Sequence, residues 1–306
     1  MSFDAFLGNE QLKKNLSRSL AAGHISHFYL ITGPAGGGKH TLAKLLAAAI
    51  LCQGEERKPC LTCRACKKVM DGAHPDFITV DDPEKKTVPV DLIREARADM
   101  YIQPNESDHK IYLFPRAQDM GLPGQNALLK VLEEPPEYVT FLICVTKQDK
   151  LLSTVLSRSC VMSFFPLPVE EVNRYLAMRF GGGKTVQLAA RLSQGSIGAA
   201  VAFLSDDSAG KLFEGSVEHV IALNRDAAKV RETADFLIEE KENIGEITDF
   251  MLTFLRDCVF VKSGLENRVI YDNKLSQMRV FTEGVSKKGL VLAFDRLTDF
   301  KLRLKQ

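Results

Sequence analysis

Four cysteines fall within fifteen residues, Cys52, Cys60, Cys63 and Cys66, the last three spaced Cys-x-x-Cys-x-x-Cys. Deprotonated thiols are soft ligands, and four of them satisfy tetrahedral zinc completely, leaving no open position for water or substrate. The chemistry this spacing predicts is therefore structural metal binding. His74, in His74-Pro75-Asp76, is the competing fourth ligand if Cys52 stays inside the helix that precedes it. Arg57, Lys58, Arg64, Lys67 and Lys68 surround the cluster, a pattern that serves either as a solvated face or as a DNA-reading surface. The other cysteines, Cys144, Cys160 and Cys258, are scattered among apolar residues and are expected to be small buried hydrophobes.

A second constellation is Gly33-Pro34-Ala35-Gly36-Gly37-Gly38-Lys39-His40-Thr41. Glycines let backbone N–H groups wrap an anion, a following helix adds its N-terminal dipole, and a lysine reaches the outer phosphates. Gly33, Gly36, Gly38, Lys39 and Thr41 are the candidate phosphate-binding residues. The position after the lysine should carry a hydroxyl for magnesium but holds His40, a poor ligand for a hard, oxygen-seeking ion. A working nucleotide site, a degenerate phosphate site and a purely structural turn all stay open. A lookalike, Gly181-Gly182-Gly183-Lys184-Thr185, has Met178 where the motif's first glycine belongs and reads as a turn between helices.

These loops need elements to hold them. Short apolar runs at Phe28–Thr32, Phe77–Val80, Ile111–Phe114, Thr140–Thr146 and Val161–Phe165 alternate with helical spacing, the mark of a parallel sheet covered by helices. Asn9 is expected to cap a helix carrying Leu12, Leu16 and Leu20, and Thr41–Leu51 reads as a second helix. After Pro166-Leu167-Pro168 the β-branched runs give way to helical spacing through to an amphipathic Leu290–Leu304. An ATPase of this layout needs carboxylates after Ile111–Phe114, to hold magnesium and activate water. The sequence there is Pro115-Arg116-Ala117-Gln118, and Asp119 lies too far along to substitute.

Lys + Arg (40) exceed Asp + Glu (39) by one, so no global positive field advertises nucleic acid, and any DNA contact must be local or shared. No basic-then-apolar leader opens the chain and no apolar run is long enough for a bilayer, which together predict a cytoplasmic protein with no membrane contact.

Lys110–Met120 lines up with the Walker B strand of the bacterial clamp-loader ATPases, members of the AAA+ superfamily, and the following Asn126-Ala127-Leu128-Leu129-Lys130-Val131-Leu132-Glu133-Glu134-Pro135-Pro136 is highly characteristic of that family. Leu156-Ser157-Arg158-Ser159-Cys160 resembles its Ser-Arg-Cys motif, with Ser159 in place of the cysteine; Thr146 matches its sensor position, and Gly195–Ala200 resembles its lid segment without the sensing arginine. The resemblance implies an α/β, parallel-sheet P-loop domain over residues 1–166 with a zinc module inserted at about 52–66, a small helical lid over 167–206 and an all-α collar over 207–306. It implies that Arg158 acts in trans as an arginine finger on a neighbouring motor subunit. Erosion of both ATPase motifs points to the delta-prime type, a stator with structural zinc and at most bound ATP, in a hetero-oligomer of DNA polymerase III. Its partners would be the gamma/tau motor and delta subunits, and, through the complex, the sliding clamp and primed DNA. The alternatives are an active motor subunit and an independent zinc-dependent DNA-binding protein.

Overall fold

The computed structural model describes residues 3–55, 58–205 and 207–304, so Arg57 of the basic surround lies outside the described residues. The chain forms two compact units, Met1–Glu171 with Gln194–Gly198, and Val172–Ser193 with Ala199–Gln306.

The first unit is built on five strands, β1 (Phe28–Thr32), β2 (Phe77–Thr79), β3 (Lys110–Phe114), β4 (Val139–Val145) and β5 (Cys160–Ser163), in the order β2-β3-β4-β1-β5. Every pairing is parallel. Side chains alternate across a strand, so two cores form. Tyr29, Ile31, Ile111, Leu113, Leu142 and Cys144 face one, while Phe28, Leu30, Tyr112, Phe114, Phe141, Ile143 and Val145 face the other. Both faces of β3 and β4 are buried throughout, as crossover helices require. The helices of this part of the chain are α1 (Glu10–Ala21), α2 (Lys39–Ile50), α3 (Arg64–Met70), α4 (Val90–Asp99), α5 (Leu122–Glu133) and the single turn α6 (Ser153–Leu156).

Two local expectations fail. Asn9 does not cap α1: it sits at φ 52° with no side-chain bond to the helix. Its amide instead pairs with the backbone of Phe165, accepting from N–H at 3.0 Å and donating to C=O at 3.4 Å. Of the scattered cysteines, Cys144 and Cys258 are buried but Cys160 is exposed, because β5 is an edge strand with one covered residue, Met162.

Charged residues inside the unit act as staples. Lys110 is buried at the start of β3, its Nζ 2.8 Å from an Asp99 carboxylate oxygen. Asp76, fully buried before β2, accepts from the N–H groups of Asn105, Glu106 and Ser107, from the Ser107 hydroxyl and from the Asn105 amide. Burial alone would raise its pKa, but these donors outweigh it and the carboxyl titrates below its ordinary value.

The remaining helices are α7 (Val169–Phe180), α8 (Lys184–Leu192), α9 (Ile197–Ser205), α10 (Asp207–Arg225), α11 (Val230–Glu239), α12 (Ile244–Lys262), α13 (Leu275–Glu283) and α14 (Lys287–Arg303). The second unit's core joins Leu188 to Phe213, Phe250, Phe254, Tyr271, Met278 and Leu290. Within it Phe213 meets Tyr271 edge-on at 4.7 Å between ring centroids. The Gly181–Gly183 turn follows helix α7, not a strand, before α8 begins. Among the described residues, no helix is long and apolar enough to cross a membrane.

Asp76→Ala strands three backbone N–H groups, and the expected loss is about 3 kcal/mol or more of stability in equilibrium urea unfolding. Because the folded pKa is depressed, the stabilisation is fully present above the unfolded value of about 4 and fades as pH falls through the folded one. The gap between wild type and variant therefore narrows in acid.

Candidate functional site

In open parallel sheets, ligand chemistry collects beyond the carboxyl ends of the strands. Here those ends gather the loop after β1, Asp81 just after β2, Pro115 and Arg116 after β3, and Thr146 after β4. A cavity of about 680 Å³ is lined by Gly36, Gly38, Lys39, His40, Thr79, Asp81, Pro83, Pro115 and Arg116.

Gly38 holds φ +96°, a conformation L side chains rarely adopt, immediately before α2. A Cβ on Gly33 would lie 2.8 Å from the ring of Phe164, so the loop can lie flat only on glycine. Phe164 meets Phe6 edge-on at 5.7 Å beneath it. The Gly36 carbonyl accepts from Gly198 N–H at 3.1 Å. Lys39 Nζ folds onto the loop, donating to the carbonyls of Gly33 at 2.9 Å and Pro34 at 2.7 Å, and partial burial holds its pKa below the usual lysine value. Thr41 is exposed, and neither it nor Gly33 lines the cavity.

The end of β3 carries a cation where an ATPase has acids. Arg116 grips Asp81 with a fork, Nε to both carboxylate oxygens at 3.2 and 3.1 Å and Nη2 to Oδ1 at 2.7 Å. Nη2 also donates to the carbonyls of Asp82 and Lys85. Asp119 comes only to 3.9 Å from Arg116 Nη1. Desolvation and nearby Lys44 hold the His40 imidazole below its ordinary pKa, against the pull of Asp81, so it is neutral at pH 7. Thr146 offers its N–H to Gln118 Oε1 at 3.4 Å and does not line the cavity.

Arg158 stands between α6 and β5, beside the edge of the sheet. Its Nη1 donates to the Thr154 carbonyl at 2.7 Å and its Nη2 to Glu133 Oε1 at 2.8 Å. Glu133 belongs to α5, so the two characteristic runs of the sequence meet through one ion pair.

The four cysteine sulfurs all lie within 4.8 Å of one another. A tetrahedral tetrathiolate with bonds of about 2.3 Å places its sulfurs about 3.8 Å apart, so this donor set fits a zinc-sized ion. Cys52 reaches the cluster because α2 ends at Ile50. His74 does not join it; its Nδ1 accepts from Asp76 N–H. Backbone N–H groups point at the sulfurs: those of Gly54 and Cys60 at Cys52, that of Cys63 at Cys60 and that of Cys66 at Cys63. Hydrogen bonds from Thr62 and from the Cys63 N–H bring the Cys60 thiol down to about 5, whereas burial drives Cys66 and Cys52 up. Despite its partial burial Cys63 is also lowered, by hydrogen bonds from the backbone of Cys66 and Gln53, so two of the four thiols are brought down and two driven up.

The cluster is packed into the sheet unit. Cys52 and Cys66 share a core with Leu45, Leu46 and Ile31, and Cys66 Sγ donates to the Ala48 carbonyl of α2. Lys68, one of the surrounding cations, is paired with Glu106 at 2.6 Å, in the loop that Asp76 staples.

The family described as "DNA polymerase III, delta subunit" matches residues 8–168, just over half of the chain. The chain belongs to that family. It is 28% identical over 257 residues to the DNA polymerase III subunit gamma of Buchnera aphidicola (subsp. Schizaphis graminum), covering 82% of this chain and 67% of that protein. It is 35% identical over 157 residues to the subunit tau of Bacillus subtilis, covering 51% of this chain but only 28% of the relative. Among solved structures, the Bacillus subtilis DNA clamp loader delta protein aligns over 96% of this chain and 94% of its own, at 14% identity and a TM-score of 0.35.

Adding a chelator to the zinc-supplied protein, or replacing Cys66 with Ser, is expected to lower the midpoint of the sheet unit's own thermal transition, with no separate early melting around the cysteines. Hydrogen exchange at β1 and β3 amides, compared with and without a chelator, checks this. Unchanged protection there would mean that the cluster is a detachable module after all.

Proposed function

We propose that this chain is the delta-prime-type stator of a bacterial clamp loader, a subunit that shapes its neighbours' ATPase sites without hydrolysing ATP itself. The observation that carries the reading is Arg116 at the end of β3, bound to Asp81 where a hydrolysing subunit would present a free carboxylate to a metal and a water. His40 at the hydroxyl position agrees with it. Gly33, Gly36, Gly38, Lys39 and Thr41 then form a degenerate phosphate loop that holds a phosphate group without turning it over.

Arg158 is the residue this chain contributes to chemistry. A guanidinium is permanently charged and planar, suited to meeting the γ-phosphate held by an adjacent motor subunit. Its place beside an edge strand, with Glu133 and the Thr154 carbonyl fixing its head, supports that role. Zinc on Cys52, Cys60, Cys63 and Cys66 stiffens the P-loop AAA+ domain of residues 1–166. The lid of 167–206 and the collar of 207–306 hold the chain beside the gamma/tau and delta subunits in a cytoplasmic hetero-oligomer that loads the sliding clamp at primed DNA.

In a loader rebuilt with motor and delta subunits, Arg158→Ala is expected to lower clamp- and primer-stimulated ATP hydrolysis by about a thousandfold at the site it serves, while the isolated chain is silent. Steady hydrolysis by the isolated chain would sink the stator reading. Glu133→Ala should cost less than Arg158→Ala, and nothing further in the double variant, since Glu133 acts through Arg158.

A further inference from the structure

The cavity at the carboxyl ends of the strands is not equipped for magnesium. That ion demands near-octahedral oxygen coordination with carboxylate help. Asp81 is the carboxylate among the lining residues, and Arg116 already occupies both of its oxygens. The nearby carboxylates also face cations, Asp82 toward Lys85 at 3.4 Å and Asp119 toward Arg116. Thr79 adds one neutral hydroxyl, and His40 brings an imidazole nitrogen where the hydroxyl ligand is needed. Anion-binding equipment is nonetheless intact: the glycine loop opening a twelve-residue helix, and Lys39, whose Nζ is held at the loop by two neutral carbonyls that a phosphate oxygen can replace. Arg116, which also lines the cavity, supplies a second fixed positive charge.

We infer that this site binds the polyphosphate of a nucleotide without a divalent cation, the Arg116–Asp81 pair standing in for a magnesium–carboxylate pair. This rests on the degenerate phosphate loop of the proposed function and adds the ligand's form: free, metal-less di- or triphosphate. Such a ligand would be held as a structural pin, because the one lining carboxylate, Asp81, is tied to Arg116 and is not free to activate a water.

The test is a fluorescence-anisotropy titration of the full-length chain with a fluorescent ATP analogue, in EDTA and in excess magnesium. Binding is expected in EDTA and is expected to weaken severalfold in excess magnesium, which withdraws the free nucleotide. Lys39→Ala should weaken it at least tenfold. Pyrophosphate should displace the probe and adenosine should not, assigning recognition to the phosphates; the reverse would overturn the inference. Arg116→Gln releases Asp81, so magnesium should now strengthen binding, a gain that mere structural damage cannot produce. Should that variant fail to fold, Asp81→Asn, which leaves Arg116 unpaired beside the cavity, should tighten binding in EDTA severalfold. Binding that requires magnesium in the wild type, or variants with no change in magnesium response or affinity, would overturn the inference and leave the stator reading standing. Absence of binding in both conditions would overturn the phosphate loop as well, whereas turnover of the bound nucleotide would instead overturn the stator reading.

Discussion

Because β3 and β4 are buried on both faces and β1 nearly so, a charged side chain of the sheet can meet a ligand only where a strand ends. This constraint makes the first residues beyond each strand decisive. At the end of β3 the chain places a guanidinium, and the neighbouring strand end answers with Asp81. Parallel pairing of β2 with β3 brings these two ends side by side, so the ion pair follows directly from the strand order. Partly shielded and held by a fork, it is stronger than a loose surface pair and harder to separate for the sake of a passing metal ion.

The same sheet explains why the cysteine cluster cannot be independent. Cys52 lies just beyond α2 and Cys66 within α3, and the inward sides of both helices lie on the core that contains Ile31, Ile111 and Leu142. Cys66 serves two structures at once, as a sulfur of the cluster and as a filled position beneath α2. A metal ion held there would offset the cost of ionising buried thiols and would fix the end of the helix that starts at the glycine loop. Cysteine cluster and glycine loop therefore sit at the two ends of α2.

Much of this was legible in the residues. The strands were readable because two-sided burial demands continuous apolar runs, and the loop and cysteines because their chemistry depends on local spacing. What escaped depends on partners distant in sequence. Nothing near Asn9 announces that Phe165, 156 residues later, will take its amide away from the helix. Phe6 and Phe164 form the floor of the loop from opposite ends of the α/β unit. Arg116 read as a missing acid, whereas its hold on Asp81, 35 residues earlier, needed the strand order to be seen. Cys160 looked buried by composition and is exposed because its strand is an edge.

Arg116 and Arg158 carry the same charge but face opposite requirements. Arg116 has its Nε and Nη2 donors engaged within the unit by one carboxylate and two carbonyls, which fixes its head beside Asp81. Arg158 makes a single carboxylate contact, to an exposed glutamate that solvent screens, and its side chain keeps about a third of its surface accessible. A weak, screened partner costs little to exchange for a phosphate, while still restricting the rotamers that a long side chain would otherwise explore. The trans role proposed for Arg158 needs that combination, orientation without commitment, and the chain places this arginine beside an edge strand instead of beneath the sheet.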